Sequence, residues 1–156
     1  MVIKEKTCCF TGHREIPKWK YGIIKRKLKN TVEDLIKKEY VYFGTGGALG
    51  FDTMAAQTIL ELKQVYNHIK LILVLPCPDQ TRGWNDKDIE IYEKIKRQCD
   101  KCVYVSDKYV RDCMYKRNRH LVDFSSVCVC YLRKATGGTA YTIRYGKSKG
   151  IDIIRL

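Results

Sequence analysis

The sequence predicts an α/β fold in which a mostly parallel sheet of about six strands carries helices on both faces. Short β-prone runs alternate with amphipathic helix patterns along the whole 156-residue chain, and this alternation is typical of a parallel sheet. Glycine-bearing turns also follow three of the predicted strands, which places all three turns at the carboxyl edge of the sheet. These turns contain Gly12, Gly44 to Gly50, and Gly137 with Gly138.

The first strand and helix are indicated by a β-prone run at residues 7–11 and by apolar residues at helical spacing after Pro17. Proline suits the first turn of a helix because its missing N–H has no partner there. The apolar face predicts a helix over residues 18–38. Its members are Ile24, Leu28, Val32, Leu35 and Ile36.

The next elements are a strand over residues 40–43, a glycine-rich turn, and a helix from Asp52 to about Asn67. Residues 71–75 are continuously aliphatic and end at a proline-containing turn, which indicates a strand buried on both faces. The loop that follows carries Gln80, Arg82 and Trp84. Trp84 could stack on a base or pack over the core.

The second half of the chain continues the alternation. A helix capped by Asn85 or Asp86 extends to Cys99, and later helices cover residues 112–124 and run through Tyr145 to stop at Gly150. The remaining predicted strands are residues 103–105, 127–132 and 151–154.

Composition and length indicate one domain over residues 1–156, with 45% hydrophobic and 30% charged residues, as in globular proteins. No apolar run could span a bilayer and the first residues lack a signal-peptide pattern, so we expect a cytoplasmic protein without a membrane partner. Eight cysteines are then expected to be reduced thiols. Cys99 and Cys102 have the spacing of half a zinc site but no second pair, so no metal is expected.

The formal net charge of +13 favours anionic partners such as nucleotides, nucleic acids or acidic surfaces. A lysine-rich solvated surface is the alternative explanation. No basic tail interleaved with aromatic residues is present, which weakens the case for a dedicated nucleic-acid module.

The glycine-bearing turns predict a phosphate site, because a strand, a glycine turn and a helix start present free N–H groups and a positive dipole end to an anion. Their order matches neither the dinucleotide fingerprint nor the Walker loop. We hypothesise that Arg14 and Arg117 neutralise the phosphate, while Asp52 caps its helix or accepts from a ribose hydroxyl. The amides expected to cradle the phosphate are those of Gly46, Gly47, Gly137, Gly138 and Thr139.

Five motifs in register carry a family resemblance. They are Phe10-Thr11-Gly12-His13-Arg14, Gly47-Ala48-Leu49-Gly50-Phe51-Asp52, Pro76 with Gln80 and Trp84, Arg117-Asn118, and Gly137-Gly138-Thr139. Together they resemble the SLOG superfamily of nucleotide-binding proteins, and within it the small bacterial YpsA/YoqJ-like group. The resemblance covers essentially the whole chain. It implies a Rossmann-like three-layer sandwich and a homo-oligomer.

The resemblance also implies the ligand and its site. The ligand would be a nucleoside phosphate, NAD or ADP-ribose, bound by a sensor or regulatory module; no other cofactor is expected. The candidate ligand-binding residues are Thr11, Gly12, His13, Arg14, Thr45, Gly46, Gly47, Ala48, Gly50, Asp52, Pro76, Gln80, Trp84, Arg117, Asn118, Gly137, Gly138 and Thr139.

Two better-understood SLOG relatives supply alternative functions. The Lonely Guy phosphoribohydrolases have M-x-x-R-K before P-G-G-x-G-T-x-x-E, which places Arg117 at the catalytic arginine and Arg144 at the catalytic glutamate. A cation there opposes hydrolysis by the family mechanism, so an enzyme of this type would need another acid such as Asp52 or Asp123. The DNA-processing protein DprA has similar G-S-R and G-x-A-x-G-I-D turns, which makes single-stranded DNA the second alternative ligand.

Overall fold

The computed structural model describes residues 3–156, whose centre is a sheet of six parallel strands. The strands are β1 (Thr7–Gly12), β2 (Tyr42–Thr45), β3 (Lys70–Leu75), β4 (Lys101–Tyr104), β5 (Val127–Tyr131) and β6 (Asp152–Arg155). Their order across the sheet is β4-β3-β2-β1-β5-β6, and every neighbouring pair is parallel.

Five α-helices connect the strands, after a short 3₁₀ turn at Lys4–Lys6. They are α1 (Lys18–Lys37), α2 (Phe51–Lys63), α3 (Asp86–Gln98), α4 (Cys113–Asp123) and α5 (Gly138–Ser148). The first three pack together and share one apolar core with the sheet, whereas the last two pack against each other over a second core. The predicted Rossmann-like three-layer arrangement is therefore confirmed.

The change in strand order creates a crevice between β1 and β5. These strands are neighbours, yet the chain leaves β1 for the face that carries α1 and leaves β5 for the face that carries α5. The two connections therefore diverge at the carboxyl edge of the sheet, which is where open parallel sheets bind ligands.

The structure adjusts the bounds of two predicted elements and decides the cap of a third. Helix α2 ends at Lys63 rather than near Asn67, and Val65, which continues its apolar pattern, is 75% exposed. Asn85, not Asp86, caps α3, since its side-chain oxygen accepts from the N–H of Asp88 at 2.8 Å. Strand β4 begins two residues and ends one residue earlier than predicted, at Lys101–Tyr104.

No helix within residues 3–156 combines the length and the apolarity needed to cross a membrane.

Candidate functional site

A cleft of about 420 Å³ opens at the carboxyl edge of the sheet. Its walls come from the end of β1, the first turns of α2 and α5, the first half of α4 and the loop before α4. The lining residues are Phe10, Thr11, Gly12, His13, Arg14, Ala48, Asp52, Tyr109, Arg111, Met114, Tyr115, Arg117, Asn118, Gly138 and Thr139. Three helices thus direct their positive N-terminal ends towards one space.

Positive charge dominates this cleft. Arg14 and Arg111 are exposed at its walls and Arg117 is buried, whereas Asp52 is the one carboxylate among the described lining residues. At the start of α5, no side-chain hydrogen bond caps the helix within the described chain, and Gly138 is exposed. The uncapped helix end and the guanidinium groups together suit an anion.

The side chain of Arg117 links α4 to the glycine-rich turn. It is only 5% exposed, and its Nη1 donates to the carbonyl oxygen of Gly46. Its Nε donates to Oδ1 of Asn118 at 2.7 Å, and its Nη2 lies 3.7 Å from the sulfur of Met114. Because a guanidinium has five N–H groups, about two of them remain for a ligand in the cleft.

Asp52 is a buried carboxylate at the base of the cleft. Its Oδ2 accepts from the backbone N–H of Ala48 at 3.2 Å. Burial raises the pKa of Asp52 above its usual range, while the charge of Arg117 and the Ala48 N–H work in the opposite direction. Helix α2 begins at Phe51 with Gly50 as its N-cap, so the alternative that Asp52 is the cap is wrong; its carboxylate instead holds the preceding turn.

Packing explains two of the glycines assigned to the phosphate cradle. A Cβ on Gly46 would lie 2.6 Å from Nη1 of Arg117, and a Cβ on Gly47 would overlap the side chain of Leu75. Neither glycine lines the cleft. Both permit close packing behind it, so a bulky residue at Gly47 is expected to disturb the fold and not only a ligand.

Several other predicted residues lie behind the cleft and support the glycine-rich turn. Gln80 is buried, donates towards the carbonyl of Gly46 at 3.5 Å and accepts from the hydroxyl of Tyr92 at 3.2 Å. Trp84 packs edge-on against Tyr92 with ring centroids 5.4 Å apart. Of the two roles considered for Trp84, base stacking and core packing, this contact is core packing. The remaining predicted residues outside the cleft lining are Thr45, Gly50, Pro76 and Gly137.

Two aromatic residues and one arginine of the cleft were missed by the sequence reasoning. Tyr109 and Arg111 belong to the loop after β4, and Tyr115 belongs to the first turn of α4. A signal for them was present, since every loop that follows a parallel strand reaches the same edge of the sheet. The loop after β4 carries no glycine and therefore drew no attention.

Two residues discussed in connection with hydrolysis, Arg144 and Asp123, lie outside the cleft. Arg144 is exposed on α5 and its Nη1 donates to the carbonyl of Ala135 at 3.4 Å. Asp123 ends α4, at the opposite edge of the sheet, where it accepts from the hydroxyl of Tyr145 at 2.7 Å. Of the acids considered, Asp52 alone lines the cleft.

Among residues 3–156, no group of three or more histidine, cysteine or acidic side chains could hold a metal ion. All eight cysteines lie in this range and are free thiols. Burial raises the pKa of both Cys99 and Cys102, which keeps them protonated, and the Cys99 thiol donates to the carbonyl of Lys96 at 3.1 Å.

His13 bridges the crevice between β1 and β5. Its Nε2 accepts from the backbone N–H of Arg133 at 2.7 Å, which requires the neutral imidazole. Burial and the charge of Lys134 lower the His13 pKa below its usual value. The folded state thus favours neutral His13.

We therefore expect this bond to stabilise the fold above about pH 6.5, the unfolded-state value. The contribution is lost as the pH falls through the lowered folded-state pKa, because protonated Nε2 can no longer accept. Urea denaturation of the wild type and His13→Ala should show a difference near pH 7.5 that shrinks as the pH falls below about 6.5. Substitution of the exposed His68 is the control, and a pH-independent His13→Ala deficit would contradict the assignment.

Comparison with known proteins identifies the family. The model of the YpsA family, described as the YspA SLOG family, matches residues 9–150. The SPbeta prophage-derived protein YoqJ of Bacillus subtilis is 32% identical over 137 residues, which cover 80% of this chain and 80% of YoqJ.

Two solved structures share the fold. One is DprA from Helicobacter pylori, described as having a unique single-stranded DNA binding mode. It superimposes with a TM-score of 0.70 and 17% sequence identity, and the match covers 97% of this chain and 65% of the DprA chain. The other is DprA from Streptococcus pneumoniae, with a TM-score of 0.68 and 15% sequence identity. That match covers 98% of this chain and 50% of the DprA chain. This chain therefore spans about two thirds of the first DprA chain and half of the second, and the likeness is one of fold.

The match over residues 9–150, together with the identity to YoqJ, confirms the resemblance carried by the five motifs: the chain belongs to the YpsA family of SLOG proteins.

Proposed function

We propose that the cleft binds the phosphate of a nucleotide or nucleotide-derived ligand and that the protein acts as a sensor or regulatory module. One observation carries the proposal. The uncapped N-terminus of α5 opens into a cleft with three arginines and a single carboxylate among its described lining residues. Backbone N–H groups at a helix start and guanidinium groups are the donors that proteins use for phosphate.

Each group has a defined role in this proposal. The N–H groups of Gly138 and Thr139 receive the phosphate, and the exposed side chains of Arg14 and Arg111 neutralise it. The remaining N–H groups of Arg117 complete the donor set from below. Asp52, an acceptor when ionised, binds a ribose hydroxyl.

The size of the cleft supports a ligand of the nucleotide class. Its volume of about 420 Å³ falls within the range of small-molecule sites. Tyr109 is 57% exposed and Tyr115 is 39% exposed, and both line the cleft. Their rings provide a surface on which a planar base can stack.

A thermal-shift screen tests the proposal with adenosine monophosphate, adenosine diphosphate, ADP-ribose and NAD. A ligand that binds only the folded protein raises the unfolding midpoint. We expect Gly138→Trp to abolish the shift, because the nearest atom to a Cβ there is 3.7 Å away and the indole can fill the cleft without disturbing the core. The control is Gly22→Trp, since Gly22 lies on α1 with no described atom within 4 Å of a Cβ. An unchanged shift in Gly138→Trp would refute the site.

Hydrolysis of a nucleoside 5′-monophosphate is the second candidate function, and the position of Asp52 favours it. A buried carboxyl with a raised pKa in a cleft is characteristic of acid–base groups. Chromatography of the incubated ligand distinguishes the two candidates, because turnover releases free base and ribose phosphate whereas a sensor returns the ligand intact.

The proposal also includes a cytoplasmic location, supported by the eight free thiols that a reducing compartment maintains. Homo-oligomer formation, implied by the SLOG resemblance, is a further part, and sedimentation velocity of the whole chain tests it.

A further inference from the structure

A second hollow, here called the groove, adjoins the cleft and has a volume of about 740 Å³. Residues 13–20, after β1, form one wall, and Tyr131, Arg133 and Lys134, at the end of β5, form the other. The groove shares His13 and Arg14 with the cleft. It therefore lies in the crevice between β1 and β5, where the two chain connections diverge and ligands of such sheets bind.

The groove is strongly basic. Its cationic residues are Arg14, Lys18, Lys20, Arg133 and Lys134. Glu15 is the one carboxylate among the described residues that line it. A concave surface with one sign of charge concentrates ligands of the opposite sign, so the groove suits an anion that extends beyond the cleft.

Trp19 provides an aromatic surface in this groove. Its side chain is 73% exposed, although indole is among the most favourable groups to bury. The ammonium of Lys20 lies 5.0 Å from its ring centroid, which is within cation–π range. An exposed indole beside several cations is the arrangement with which proteins stack a base and neutralise its phosphate.

Tyr131 forms part of the groove wall and carries a hydroxyl that is unpaired in the described part of the chain. Its side chain is 1% exposed, and its hydroxyl has no hydrogen-bond partner within residues 3–156. Buried hydroxyls are nearly always paired, because an unpaired one loses its bonds to water without replacement. The hydroxyl itself has almost no exposed surface, so it lies in the wall beneath the groove, where the ring packs edge-on against His13 with centroids 5.8 Å apart.

We propose that the groove binds the second unit of a ligand made of two nucleosides joined through phosphate. This inference rests on the proposed function, in which the first nucleotide occupies the cleft. The linking phosphate passes His13 and Arg14, which both hollows share, and the second base stacks on Trp19. Arg133 and Lys134 neutralise the linkage from the opposite wall. Cleft and groove together thus favour a dinucleotide over a mononucleotide.

Tryptophan fluorescence tests the inference without requiring an activity. The chain has two tryptophans, so Trp84→Phe leaves Trp19 as the single reporter. We expect NAD, or a thymidine tetranucleotide, to quench Trp19 by stacking, whereas adenosine and thymidine monophosphates bind without quenching. Trp19→Ala should reduce the ratio of dinucleotide to mononucleotide affinity about tenfold. The control is Tyr21→Ala, which removes an exposed aromatic residue of α1 that lies outside the groove.

The probes also distinguish the source of the ligand. Binding of the tetranucleotide that falls steeply between low and high salt indicates a nucleic-acid strand, whereas preferential binding of NAD indicates a free dinucleotide. Equal affinity for mononucleotides and dinucleotides, without quenching, would overturn the inference and leave the cleft proposal intact. Quenching of Trp19 that persists in Gly138→Leu, which fills the cleft without adding a second indole, would overturn the link between the two hollows. If the cleft does not bind a nucleotide at all, no mononucleotide will raise the unfolding midpoint, and this result is separate from the fluorescence test.

Discussion

Replacing Gly50 with alanine is expected to lower the free energy of unfolding by about 3 kcal/mol. Gly50 has a φ of +79° and a ψ of −118°, a conformation that is open mainly to glycine and costs another residue about 1–3 kcal/mol. A Cβ at this position would also overlap the backbone carbonyl group of Arg14. The two segments are tied there, since the N–H of Phe51 donates to the carbonyl of His13 at 3.1 Å, so neither can move freely.

Gly83 provides a matched control for this prediction. Its φ is +84°, and no described heavy atom lies within 4 Å of a Cβ built on it. Gly83→Ala therefore carries the conformational cost alone, about 1 kcal/mol. Urea denaturation of both variants measures the difference. Equal losses would show that the loop of Arg14 yields to the added methyl group, and that the close approach at Gly50 is not rigid.

Replacing Arg117 with methionine is expected to cost about 3 kcal/mol of stability. The substitution keeps a long side chain but removes the donor to the Gly46 carbonyl, which would retain only the 3.5 Å contact from Gln80. It also removes the positive charge that lowers the pKa of buried Asp52. An unpaired buried carboxylate is costly while it is ionised.

The pH dependence of this variant distinguishes the loss of charge from a loss of packing. Without Arg117 the folded-state pKa of Asp52 rises further above its unfolded-state value, so the fold favours the protonated carboxyl. The loss of stability in Arg117→Met is therefore largest at high pH, and it shrinks as the pH falls towards about 4. Denaturation across this range measures it, and a deficit independent of pH would contradict the role of charge.

Arg119 is the matched control, because it lies two residues further along the same helix. It donates to the hydroxyl of Tyr141 at 3.0 Å and pairs with Asp112, whose side chain is 65% exposed. Exposed ion pairs contribute little. Arg119→Met should therefore cost no more than about 1 kcal/mol, and a cost equal to that of Arg117→Met would mean that burial does not set the difference.

Local patterns were sufficient for the elements and for part of the cleft. The aliphatic run of β3 and the apolar face of α1 each depend on residues close together in sequence, and periodicity reports them directly. The turn at Gly12-His13-Arg14 and the helix start at Gly138 could be assigned to the carboxyl edge because parallel strands all end there. Both contribute to the cleft.

Contacts between distant residues could not be predicted in this way. The bond from Arg117 to Gly46 spans 71 residues, and no local pattern shows that Gly46 is small in order to admit this side chain. Trp84 and Trp19 make the same point, since sequence alone does not reveal that the first packs on Tyr92 while the second stays 73% exposed.

The sequence by itself therefore determined the alternating elements, the parallel sheet and the family, because these follow from periodicity and from motifs a few residues long. Only the tertiary structure decided the strand order, the groove beside the cleft and which glycines pack against side chains instead of facing a ligand. The physical reason is that close packing and burial are properties of residues brought together from separate parts of the chain, and they are set by the three-dimensional neighbours of each residue.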